Sequence, residues 1–166
     1  MRVADLQRLY DYSYWANRQL FQVMAQLTPE QFVQPVAGSY GSIRNTLVHS
    51  LSAEWGWLDR SGGPARGPKL DAEKYPTLES LVADWLKLER YLRGFLAGQS
   101  DESLARVVEF SFDGVTRYSL TVGEMLQHAA VHGAHHRGQV ALLLRMLGVV
   151  PGNFDMLFYC AANSKA

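Results

Sequence analysis

The stretch TVGEMLQHAAVHGAHHRGQVALLLRMLG, residues 121–148, decides the fold. Thr121-x-x-Glu124 is a capping box, the reciprocal hydrogen-bond pair that starts a helix, and Gly148 with Pro151 stops that helix near Leu147. Take about 100° per residue and set Val122 at zero. Met125, Leu126, Ala129, Gly133, Val140, Leu143, Leu144 and Leu147 then fall within about 60° of one line, a stripe wide enough to face a core. The same helix holds four of the chain's five histidines. His136 falls at about −40° and His132 at about −80°, in or at the edge of the stripe. His128 and His135 fall at about −120° and −140°, towards solvent or a neighbouring helix.

Working outward, three more segments carry helical periodicity. Leu6, Leu9, Tyr10, Ser13, Asn17, Leu20, Phe21, Met24 and Leu27 recur at three- and four-residue steps, predicting a first helix that reaches Leu27. Thr28-Pro29-Glu30 reads as a cap followed by proline at the first position of a short helix. Ser42, at the end of the loop GSYGS, caps a helix from about Ile43 to Arg60, with Ile43, Leu47, Leu51, Glu54 and Leu58 near one stripe. Residues 61–76 are rich in Gly and Pro and form a surface loop. Thr77 caps a helix whose Leu78, Leu81, Val82, Trp85, Leu88, Leu92 and Phe95 form an apolar face ending near Gly98. In residues 106–120, Val108, Phe110 and Phe112 alternate with Val107, Glu109 and Ser111. Asp113-Gly114 reads there as the type I′ turn of a small β-hairpin. Four long helices with one hairpin before the last predict an all-α four-helix bundle, a single domain over residues 1–166.

Composition narrows the function. Hydrophobic residues at 48% against 19% charged describe a globular chain. Lys+Arg and Asp+Glu balance at 16 each, which argues against nucleic acid as a partner. The single Cys160 has no internal disulfide partner, suits a reducing cytoplasm and lies near no activating motif. The first twenty residues lack the apolar core of a signal peptide. No apolar run approaches the roughly 20 residues of a membrane span. A soluble cytoplasmic protein is expected.

His132 and His136, at i and i+4, stand one above the other on a helix face, where both can reach one metal ion. Spacing alone leaves open that they are hydrogen-bonded core or interface histidines. Two points favour metal. Burying two unpartnered imidazoles costs on the order of a few kcal/mol. Gly133 and Gly138, each costing roughly 1 kcal/mol against Ala in a helix, suggest that something approaches closely. His49 is the only other histidine outside the cluster; it lies about 120° from Ile43, so periodicity does not place it inward.

HGAHHRGQV (132–140) with His128 before it resembles the last-helix motif of the DinB-like (YfiT-like) metalloenzyme superfamily. YDYSYWANRQLF (10–21) and GSIRNTLVHSLSAEWGWLDR (41–60) resemble its first- and second-helix signatures, so the likeness covers most of the chain. It implies a four-helix bundle, a homodimer, and one divalent metal ion held by His49, His132 and His136. It further implies transfer of a low-molecular-weight thiol onto an electrophile, isomerisation with a thiol cofactor, or no turnover at all. Zinc or nickel are the first expectations for the ion, with iron among the others that imidazole suits.

Around such a site, Glu54 is a candidate to support a ligating histidine, or to pair with Arg137 or reach solvent. Arg137 is a candidate for the carboxylate of a thiol cofactor or for a structural ion pair. Gln139 can hydrogen-bond a ligand or substrate, and Asn17 can line the site or fix helix packing. His128 is a possible fourth ligand, and His135 is expected at solvent or a dimer face. Trp15, Trp55, Trp57 and Trp85 are expected in the core or a dimer interface. Pocket-lining residues that choose the small-molecule substrate are expected from loop 61–76 and the hairpin. Three classes follow: a metal-dependent transferase or hydrolase, a non-catalytic metal-binding stress-response dimer, and a dimeric module with a pH-sensitive histidine interface.

Overall fold

The computed structural model describes residues 1–164. Its helices are α1 (Val3–Met24), α2 (Pro29–Val33), α3 (Ile43–Arg60), α4 (Leu78–Ala97), α5 (Asp101–Leu104), α6 (Val122–Met146) and α7 (Met156–Asn163). The strands β1 (Val107–Phe110) and β2 (Tyr118–Thr121) form an antiparallel pair between α5 and α6. The four long helices α1, α3, α4 and α6 make the bundle. α6 packs between α1 and α3, and α4 closes the opposite side against the same two helices. No helix among the described residues is long and apolar enough to cross a membrane.

The helix starts follow from local chemistry. The side chains of Ser42, Thr77 and Thr121 accept from the backbone N–H of Asn45, Ser80 and Glu124, and Thr121 with Glu124 completes the expected capping box. Thr28 and Gln31 form a second box at α2. α1 ends at Met24 rather than Leu27. The backbone N–H groups of Gln26 and Leu27 bond to Val23 and Met24, three residues back, so the chain tightens into a turn before the Thr28 cap. Leu27 still packs on the core from that turn, which is why its periodicity looked helical.

The hairpin is present, but its turn is not the two-residue type expected. Phe110 pairs with Tyr118, leaving residues 111–117 as the loop. The Asp113 carboxylate organises it by accepting from the backbone N–H of Val115 and Thr116 and from the hydroxyls of Ser111 and Thr116. Side-chain bonding by Asp, with Gly114 at φ +77°, wins over the tight turn. Two short helices, α5 and α7, have too few residues to show a period. α7 lies along α1, where Tyr159 packs on Tyr12 and Trp15.

The core is one continuous cluster that includes Leu6, Leu20, Ile43, Leu51, Leu58, Leu88, Val122 and Leu144. Within it lies a polar layer between α1, α3 and α6. Tyr10 donates to the Leu126 carbonyl oxygen at 2.8 Å, and Tyr14 donates to Glu54 Oε1 at 2.8 Å. Arg137 donates to Asn17 Oδ1 at 3.1 Å and Ser13 Oγ at 3.4 Å. Burial pushes the Glu54 carboxyl up to about 7, while the Tyr14 hydrogen bond and the Arg137 charge pull the other way.

That shift carries a pH prediction. An unfolded Glu54 titrates near 4.5, so the folded form holds its proton between about 4.5 and 7 while the unfolded chain does not. The contribution from this group is therefore complete below about pH 4.5, is lost as pH rises to about 7, and is flat beyond. The difference in unfolding free energy between wild type and Glu54→Gln should move against wild type across that window by on the order of 2–4 kcal/mol. Urea titrations of both proteins at pH 4.5 and 8 measure it; a pH-independent difference is the contrary result.

Candidate metal centre

α3 presents two faces. Ile43, Leu47, Leu51, Glu54 and Leu58 turn into the core, while His49, Ala53, Gly56 and Arg60, at steps of four, three and four, line a cavity on its flank. His49 is thus off the core stripe, and it meets α6 where His132 and His136 project. The three ligand atoms lie within 4.8 Å of one another. His132 and His136 face each other through Nε2 at 3.1 Å. Two nitrogens on a tetrahedral zinc ion, each at about 2.0–2.1 Å, stand about 3.3 Å apart, so this pair is already close to ligation spacing.

The electrostatics suit a cation ligand. Burial, then the neighbouring His136, hold His49 down to about 4, with Lys69 adding to the effect. Burial and the same neighbour hold His132 down to about 4. Burial also lowers His136, against its hydrogen bond to Gln139, which raises it. Neutral imidazoles carry the lone pairs that a metal needs. Gln139 settles which nitrogen of His136 is free: its Oε1 accepts from His136 Nδ1 at 2.7 Å, leaving the Nε2 lone pair towards His132.

The loop before α3 straps across this cluster. Ser39 Oγ donates to Gln139 Oε1 at 2.9 Å and lies 3.0 Å from Thr46 Oγ1, which holds Ser39 at φ +49°, a left-handed conformation unusual for serine. The Tyr40 ring stacks on His49 at 4.0 Å between centroids, and its hydroxyl stands 2.9 Å from His49 Nε2. Neither Ser39 nor Tyr40 was a site candidate from sequence. The only signal was the flanking glycines of GSYG, both of which take positive φ.

The other candidates divide. Gln139 touches the cluster. Glu54, Asn17 and Arg137 do not; they form the buried polar layer, where Arg137 bonds to Asn17 and Ser13 and, among the described residues, makes no ion pair. Enclosed there, Arg137 is out of reach of a cofactor carboxylate. Gly133 makes room for Arg137 itself, since a Cβ there would lie 3.4 Å from its Nη1; a Cβ at Gly138 would point into open space among the described residues. His128 stands outside the cluster, edge-on to Trp57 at 4.7 Å. His135 is exposed and accepts from Gln139 Nε2 at 3.0 Å. Trp55 and Trp85 are buried in the core, Trp15 packs on Tyr159, and Trp57 lines the cavity. Cys160 in α7 is half-buried beside Arg8, away from the histidines.

The cavity has a volume of about 550 Å³ and opens onto His49. Loop 61–76 supplies Arg66 and Lys69 to its wall, and the hairpin loop supplies Phe112.

Comparison with known proteins follows the same lines. The DinB family profile matches residues 1–165. The chain is 27% identical to protein DinB of Bacillus subtilis (strain 168), over 96% of each protein. It is 24% identical to protein YizA of the same organism, over 88% of this chain and 90% of that one. Among solved structures, a DinB-like protein from Bacillus cereus ATCC 10987 superposes with a TM-score of 0.75 at 18% identity, covering 92% of this chain and 97% of that one. A conserved protein from Enterococcus faecalis gives a TM-score of 0.62 at 15% identity, covering 87% and 96%. At those identities the two structures speak for the fold.

Proposed function

The chain belongs to the DinB family, and from that premise we propose that it is a divalent-metal-dependent enzyme in which His49, His132 and His136 hold one ion. The observation that carries this reading is the convergence of three neutral imidazoles within 4.8 Å at the edge of a cavity of small-molecule size. Three histidine ligands leave coordination positions open, the pattern of a catalytic site. Imidazole donors suit zinc, nickel, iron and copper alike, and zinc or nickel is the first expectation. When bound, the ion supplies Lewis acidity, which brings the pKa of water towards neutrality and deprotonates a thiol.

The chain's own residues do the rest. Gln139 fixes the His136 tautomer, the Tyr40 ring packs over His49 beside the cluster, and the cavity admits a substrate beside His49. The activity is that of a small-thiol S-transferase or a hydrolase. A homodimer is part of the same proposal, supported by exposed Val131 and Leu142 on the outer face of α6 and exposed Leu157 and Phe158 on α7; a cytoplasmic location is proposed with it.

The test is turnover by zinc- or nickel-loaded protein, with monochlorobimane as electrophile plus or minus cysteine, and with p-nitrophenyl acetate as ester. Metal-dependent turnover lost in His136→Ala is expected. Thiol dependence then selects transferase over hydrolase. Equal rates with and without metal sink the enzyme reading.

A further inference from the structure

His49 is the histidine of the cluster that lines the cavity; the wall of the same cavity carries Arg60, Arg66 and Lys69 against a single carboxylate, Asp59. Asp59 is engaged, since its Oδ2 accepts from the Arg66 backbone N–H at 3.1 Å. Among the described residues, none of the three cations is in an ion pair. Arg66 is held in place: its Nη1 donates to Ser52 O at 3.0 Å and Ser52 Oγ at 2.9 Å, while its Nε is buried with no partner among the described residues. Gly56 provides the room, because a Cβ there would stand 3.4 Å from that Nη1. Arg60 is held by aromatic rings, with its guanidinium carbon 5.1 Å from the Trp57 centroid and 5.0 Å from those of Phe110 and Phe112. Rings position a guanidinium without neutralising it. Burial, then the charge of Arg66, disfavour charge on Arg60, and nearby Asp59 only partly offsets them. Two mutually repelling guanidiniums fixed at one cavity, with a lysine beside them, are complementary to an oxyanion.

We infer that this wall is the binding site of an anionic small molecule, its oxyanion group held by Arg60, Arg66 and Lys69 and its apolar body lying along Trp57 towards His49. This gives the proposed enzyme its substrate class and rests on that reading only for what the anion is used for. Anion binding does not need the metal, so the two can fail separately.

The test compares benzoate, phenyl phosphate and neutral benzamide by calorimetric titration or ligand-observed NMR, with metal-free and with zinc-loaded protein. At least one anion should bind about tenfold or more tightly than benzamide in both forms. Whichever anion binds better distinguishes a carboxylate from a phosphate ligand. The preference should fall to near unity in Arg60→Gln and weaken in Lys69→Gln. Circular dichroism and zinc content should match wild type in both variants, which separates loss of this site from loss of the fold or of the metal centre. Arg66 is left intact because it also ties loop 61–76 to α3. Equal binding of the three probes, no binding of any, an anion preference that appears only with zinc, or one that survives both substitutions overturns the inference.

Discussion

Arg137→Met lowers the stability of the protein by about 2–4 kcal/mol, although methionine fits an apolar core. Arg137 is 4% exposed and, among the described residues, is the only cation in the polar layer with Glu54, which is 5% exposed. Its removal leaves Asn17 Oδ1 without its donor and takes away the positive charge that moderates the cost of ionising Glu54. In a chain of this size the loss corresponds to a melting-temperature drop of roughly 5–15 °C. Because part of the cost acts through Glu54, it should shrink by about 1 kcal/mol or more at pH 7.5 in a Glu54→Gln background. Denaturant titrations of the four proteins of that cycle check both statements. A loss below about 0.5 kcal/mol, the usual range of surface substitutions, would show that Arg137 is not the electrostatic partner of this layer.

The second large effect comes from the metal. An ion bound only by the folded protein, at a free concentration 100 times its dissociation constant, stabilises by about 2.7 kcal/mol. Zinc should therefore raise the melting temperature by roughly 5–10 °C. His49→Ala, His132→Ala and His136→Ala should each reduce the shift, and the His132→Ala, His136→Ala double variant should abolish it. His128→Ala should leave it unchanged, because His128 packs on Trp57 outside the cluster. Gln139→Ala should weaken it, because the oxygen that fixes His136 Nδ1 is gone. Scanning calorimetry with and without zinc reads all of these.

What the sequence disclosed depended on how local each signal is. Long amphipathic helices and their caps are written in residues a few positions apart, so α3, α4 and α6 match their predicted bounds closely. The same arithmetic placed His132 and His136 on one helix edge. His49 needed the family resemblance. It sits on the cavity face of α3, and a helix with two used faces shows its apolar period for only one of them. Glu54 and Arg137 were read as candidates for the site because charged residues on a core stripe suggest chemistry. They instead form a polar layer with Tyr14, Asn17 and Ser13, whose partners lie 40 or more residues away in sequence. Ser39, Tyr40, Arg66 and Lys69 lie on loops with no period to read, and only the folded chain brings the first two to Gln139 and His49 and the other two to the cavity that His49 lines. The hairpin loop departs from the expected two-residue turn for a similar reason. Asp-Gly favours a tight turn, but Asp113 found more acceptor bonds by organising a wider one.

The most direct test of the metal centre is elemental mass spectrometry on protein purified without an affinity tag, alongside the His132→Ala, His136→Ala double variant. The predicted result is about one divalent ion per wild-type chain and none in the double variant, with both proteins equally helical. No ion in wild type, even after incubation with zinc or nickel, or the same ion content in both proteins, would contradict it.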